Sequence, residues 1–152
     1  MHQVGALLRR WPRMSAAVVF GVAGTALSIL WWSPVIFKAQ HVLPFVLFIV
    51  SPGLSAAVAG CILGKPLLDA RGGRPKNPML RGAVIGSLAL LIFAPLFATL
   101  YVWTEPENEH WNIFGLTILV LVGSAIAVWW LVALVGAAVG WGLHRFNSYD
   151  AG

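Results

Sequence analysis

KPLLDARGGRPKNPMLR, residues 65–81, is the one long polar run in this chain of 152 residues. It holds five of the ten basic residues, Lys65, Arg71, Arg74, Lys76 and Arg81, and a single acid, Asp69. A long apolar block lies on each side. Gly72, Gly73, Pro75 and Pro78 oppose helix here, so the stretch reads as a loop. A basic loop between apolar hairpins orients a multi-span protein, because Lys and Arg near span ends stay on the cytoplasmic side.

Composition points the same way. The chain is 59% hydrophobic and only 10% charged, with a mean hydropathy of +0.84. Soluble domains carry about 25% charged residues. A soluble fold of ~150 residues buries only about 70% of its surface, too little to hide this much apolar area. The net charge of +5 comes from bases clustered at span ends. Their expected partners are the bilayer and its anionic lipid head groups, with no nucleic acid. The single Arg71-Gly72-Gly73-Arg74 fragment fits that solvated loop. Cys61 is the only cysteine, which excludes an intrachain disulfide. Val58–Cys61 looks like a lipoprotein box, but it sits deep in an apolar block and not behind an N-terminal signal.

Working outward, four spans are predicted at residues 14–33, 42–64, 82–103 and 113–143. They form one all-α membrane domain over residues 1–152: a four-transmembrane-helix bundle of two antiparallel hairpins, both termini cytoplasmic. The first apolar block is longer than a signal-peptide core of about 7–15 residues, no A-x-A site follows, and Trp31-Trp32 closes it as an interfacial anchor, so a retained span is expected. Spans of 20 to 23 residues reach roughly 30–35 Å at about 1.5 Å per residue, one hydrocarbon thickness. Ile113–Leu143 has 31 residues, roughly 46 Å, so it must tilt, overshoot or open with an interfacial turn near Trp111–Gly115.

Charge fixes the expected orientation. Nine bases (Arg9, Arg10, Arg13, Lys65, Arg71, Arg74, Lys76, Arg81, Arg145) fall on the inner side and only Lys38 on the outer, which also holds Glu105, Glu107 and Glu109. A bacterial cytoplasmic membrane is the expected address. Trp31, Trp32, Trp103 and Trp111 fall at the outer interface, and Trp11 and Trp141 at the inner. Trp129 and Trp130 fall inside the fourth span, where packing on a neighbouring helix or a partner is expected.

No Asp, Glu, Lys, Arg or His lies within the four spans. Proton-coupled carriers, pumps and voltage sensors need such groups in the membrane. Ser51, Ser55, Ser87 and Ser124 have no His or Lys at their depth to act as a base, so bonds to backbone carbonyls are their expected role. His41 and His110, with Glu107 and Glu109 nearby, match no strong metal-ligand spacing. No catalytic, cofactor or metal residues are therefore assigned. Pro52 and Pro95 each free a carbonyl four residues earlier, on Phe48 and Leu91, and are expected to kink their helices.

Small residues mark the expected packing. Ala17, Gly21, Gly24 and Ser28 are spaced 4, 3 and 4, as are Gly53, Ala57, Gly60 and Gly64, so each set shares a helix face. The short Pro34–His41 connection makes the two helices antiparallel neighbours, and pairing by depth sets Ala17 on Gly64, Gly21 on Gly60, Gly24 on Ala57 and Ser28 on Gly53. Small faces let helices approach closely in lipid. These features describe a non-catalytic multi-pass protein that packs against a membrane-protein partner or its own copies, as an accessory, assembly or sensing subunit. The alternative is an oligomeric pore or carrier for a small neutral or weakly charged solute, built on the helices bearing Pro52 and Pro95.

Overall fold

The computed structural model describes residues 11–36, 42–68, 77–104 and 112–149. Among the described residues all regular structure is α-helical, in the order α1 (Pro12–Ile36), α2 (Val42–Leu63), α3 (Lys65–Leu68), α4 (Pro78–Thr104), α5 (Ile113–Ala127) and α6 (Trp129–Tyr149). Two of these, α1 and α4, are long and apolar enough to cross a membrane, and a third span results if α5 and α6 count as one. That is consistent with a membrane protein. In α2 the apolar stretch Ile49–Leu63 is by itself shorter than a span.

Helix starts follow local chemistry. Pro12 and Pro78 open α1 and α4, where a residue without an N–H loses nothing and its fixed φ suits the helix. Asn112 caps α5: its side-chain oxygen accepts from the Phe114 N–H at 3.0 Å, and its carbonyl accepts from the Leu116 N–H at 3.0 Å. The cap sets regular helix from Ile113, so the expected interfacial turn over Trp111–Gly115 is absent from Asn112 onward.

The basic stretch is not all loop. Lys65–Leu68 forms the single turn α3, and Leu67 is 1% exposed, inserted into the core as a plug. Pro78 starts a helix and does not block one, which places Arg81 in the first turn of α4. Arg71, Arg74 and Lys76 lie outside the described residues, as do His41, His110, Glu105, Glu107 and Glu109.

A larger correction concerns the expected fourth span. Ile113–Leu143 is not one helix: α5 and α6 meet at Val128 with a bend of 70°. Val128 has φ −130° and ψ −6°, outside helical geometry, and its N–H still reaches the Ser124 carbonyl at 2.9 Å. No proline is near. The Gly123-Ser124 pair lies one turn upstream, with the Ser124 hydroxyl back-bonding to the Val120 carbonyl. Both features weaken the helical ladder and bend it. By contrast α2 and α4 run unbroken through Pro52 and Pro95. At about 1.5 Å per residue α5 is roughly 22 Å long, too short to cross, and α6 roughly 31 Å.

The core gathers Ala16 and Phe20 of α1, Ala56 and Ala59 of α2, Leu67 of α3, Ile85 and Ala89 of α4 and Leu143 of α6. α1 packs on α2, α2 on α4, and α4 on α6. α5 rests chiefly on α4 and buries Leu116 alone.

Candidate functional site

Among the described residues, two glycine seams and a cavity are the features with functional potential. The first seam joins α1 to α2. A Cβ placed on Gly21 would lie 3.1 Å from the Ala57 Cβ and 3.3 Å from the Gly53 carbonyl oxygen. One on Gly24 would meet the Ala56 Cβ at 2.9 Å, and one on Gly60 the Ala16 carbonyl oxygen at 2.9 Å and the Phe20 Cβ at 3.1 Å. Gly64 sits against Ala16, and Gly53 against Thr25 and Gly21. The pairs run in opposite order along the two helices. Their register departs from pairing by depth, by one residue where Gly64 meets Ala16 and Gly24 meets Ala56, and by about a turn where Gly21 meets Ala57 and not Gly60; Ala16, not Ala17, faces Gly60 and Gly64. Ser28 is buried beside this seam, donating to the Gly24 carbonyl at 3.0 Å.

This register gives an expected cross-link. With Cys61 changed to Ala, the pair Gly21→Cys and Ala57→Cys should form an intrachain disulfide, since its Cβ atoms would lie 3.1 Å apart and a shift of a few tenths of an ångström brings them to the ~3.5–4.5 Å that the bond requires. The pair Gly21→Cys and Gly60→Cys should form little. A reversed ranking on non-reducing gels would refute the offset.

The second seam, between α4 and α6, is tighter, and it escaped the sequence reading. A Cβ on Gly82 would lie 2.8 Å from the Gly136 carbonyl carbon and 3.0 Å from the Gly140 Cα, and one on Gly86 would lie 2.6 Å from the Val132 carbonyl oxygen. Gly136 in turn faces the Gly82 carbonyl, and a Cβ on Gly140 would lie 2.5 Å from the Pro78 carbonyl oxygen. Because a Cβ would replace a Cα hydrogen, those hydrogens point at carbonyl oxygens across the seam, the geometry of Cα–H···O contacts. The signal was legible: Gly82 and Gly86 form one G-x-x-x-G, and Gly136 and Gly140 another, each in an apolar helix.

The serines are engaged. Ser51, Ser55 and Ser87 donate to carbonyls four residues earlier at 2.5, 2.7 and 3.0 Å. Ser87 also accepts from the indole N–H of Trp129 at 3.1 Å. This bond ties the first residue of α6 to α4 and gives the half-exposed Trp129 a partner on a neighbouring helix. Trp130, beside it, is exposed. At the far end of α6 the Arg145 guanidinium sits 5.2 Å from the Trp141 ring centroid, within cation–π range. Lys65 and Arg81 are exposed.

The cavity lies at the helix break, and Val128 is part of its wall. It measures about 470 Å³ and is bounded by α1 at Gly24, Leu27 and Ser28, by α2 at Pro52 and Ala56, by α4 from Ala89 to Phe97, by α5 from Leu119 to Ala127, and by α6 at Leu131 and Val132. That volume falls in the range of small-molecule sites, roughly 300–1,000 Å³. Its wall holds no charged side chain, and the Ser28 and Ser124 hydroxyls in it already donate to carbonyls of their own helices. Pro52 lines it; Pro95 is exposed. Among the described residues no cluster of three or more His, Cys, Asp or Glu could hold a metal ion.

Compared with protein-family models, curated proteins and solved structures, the chain has no match.

Proposed function

We propose that the chain is a four-segment integral membrane protein, both termini cytoplasmic, that acts without catalysis by packing its helices against partner proteins. The observation that carries this reading is α5. The helix is apolar on every side, its residues Phe114, Ile118, Leu119, Val122 and Ile126 are exposed, and only Leu116 is buried. An all-round apolar helix needs lipid or protein around it. Set beyond a 70° break, it offers a partner a face that the other described residues leave open. The absence of ionisable side chains from the predicted spans supports a role without proton or ion chemistry. Affinity purification in mild detergent tests the reading: a membrane protein recovered in stoichiometric amount, and lost when Phe114 and Ile118 are changed to Ala, is the expected result. Recovery of the chain alone as a monomer would refute it.

The cavity favours a second reading, the oligomeric pore or carrier, in which a broken helix and Pro52 border a solute path. Flux of small neutral solutes into liposomes holding the purified chain separates the two.

Orientation belongs to the same proposal. A reporter fused after Arg74 or Gly152 should read cytoplasmic, and one inserted at Asn108 external. Changing Arg71, Arg74 and Lys76 together to Gln should give a mixed population, because those bases hold the central segment inside. A cytoplasmic signal at Asn108 would exclude the four-segment arrangement.

A further inference from the structure

We propose that the cavity between α5 and the α1–α2 hairpin binds one hydrocarbon chain of a lipid. Three observations converge. The wall is almost wholly apolar and its two hydroxyls donate to their own helices, so water finds few partners there, and dry apolar cavities take apolar guests. The lining takes in Ala89 to Phe97 on α4 and Leu119 to Ala127 on α5, about 12 Å of each helix, so the space is long enough to hold a stretch of hydrocarbon chain. Finally, α5 is the least embedded wall, resting chiefly on α4 and exposing apolar residues outward, so a chain from the surrounding hydrocarbon can enter beside it.

Gly123 offers the means of testing this. It lines the cavity, and a Cβ placed on it would meet nothing within 4 Å. A larger side chain there occupies the space without a clash at its root.

The full chain would be reconstituted with either of two photoactivatable probes, a phospholipid carrying a diazirine near the end of one acyl chain or an isoprenoid alcohol carrying one on its tail. Leu90 and Phe97 line the cavity and are otherwise buried, so label on them reports a chain inside, while label on exposed Val18 reports bulk lipid. Label is expected on Leu90 or Phe97 from at least one probe, and which probe succeeds identifies the source of the chain. Gly123→Phe should lower that label about tenfold, as blocking a pocket does, and leave Val18 unchanged. Should Gly123→Phe fail to fold, Ala127→Phe on the same wall gives the same reading. Absence of label at Leu90 and Phe97 with both probes would overturn the proposal. So would label indifferent to both substitutions, or cross-links joining two copies through these residues. None of these readouts depends on a partner protein.

Discussion

Gly82→Leu and Gly136→Leu should each destabilise the purified chain by about 3 kcal/mol or more, lowering its melting temperature in detergent by on the order of 10 °C. At both positions the atoms across the seam are backbone. The carbonyl carbon of Gly136 lies 2.8 Å from the site of a Gly82 Cβ, and the Gly86 Cα lies 3.3 Å from the site of a Gly136 Cβ. No rotamer change removes such a contact, so α4 and α6 must move apart and lose dispersion and Cα–H···O contacts along the seam. In lipid that packing is the main force joining helices, since apolar burial gains little there. Alanine at Gly82 should already cost roughly 1–3 kcal/mol. Gly142→Ala and Gly115→Ala are the controls: a Cβ at either site meets nothing within 4 Å, so both should stay within about 0.5 kcal/mol of the parent or gain slightly from helix propensity. Equal melting temperatures for Gly82→Leu and Gly142→Ala would refute the seam.

At the other seam, Gly60→Leu should cost a comparable amount, about 3 kcal/mol, because the Ala16 carbonyl oxygen lies 2.9 Å from a Cβ there and the Phe20 Cβ 3.1 Å. Gly53 makes an informative contrast. Its Cβ would strike the Thr25 hydroxyl, a side-chain group that can be deleted. Gly53→Ala should therefore destabilise by about 1–2 kcal/mol, and Thr25→Ala in the same chain should restore much of that, giving a favourable coupling in a double-mutant cycle. The restoration is incomplete because Thr25 also donates to the Gly21 carbonyl at 3.0 Å. No second substitution of a side chain is expected to rescue Gly60→Leu. If Thr25→Ala left Gly53→Ala unimproved, the offset register of α1 and α2 would be in error.

The all-helical fold was legible because it depends on local quantities: apolar blocks of bilayer length, prolines at helix starts, and polar stretches between them. The face of α1 carrying Gly21 and Gly24 was legible for the same reason, since helical spacing alone puts these residues together. Their partners were not. Pairing by depth assumed that the connection sets the register, whereas bulk at Phe20 and the fit of Ala16 against Gly60 and Gly64 slide α1 along α2. The Gly82–Gly136 seam could have been found from its two G-x-x-x-G motifs, but no connection length indicated that α4 pairs with α6 more than with α5.

Sequence by itself determined that the chain is helical and apolar, where its charges cluster, and that the expected spans carry no ionisable side chain. Tertiary structure alone decided that the last apolar block bends by 70° at Val128, that Trp129 bonds to Ser87 across 42 positions of sequence, and that five helices border a half-open apolar pocket of about 470 Å³. The physical reason is one of range. Composition and periodicity report the energy of a helix in its medium, which each residue contributes singly. A bend, a register or a cavity reports how whole surfaces fit, and that depends on atoms far apart in the chain meeting within a few tenths of an ångström.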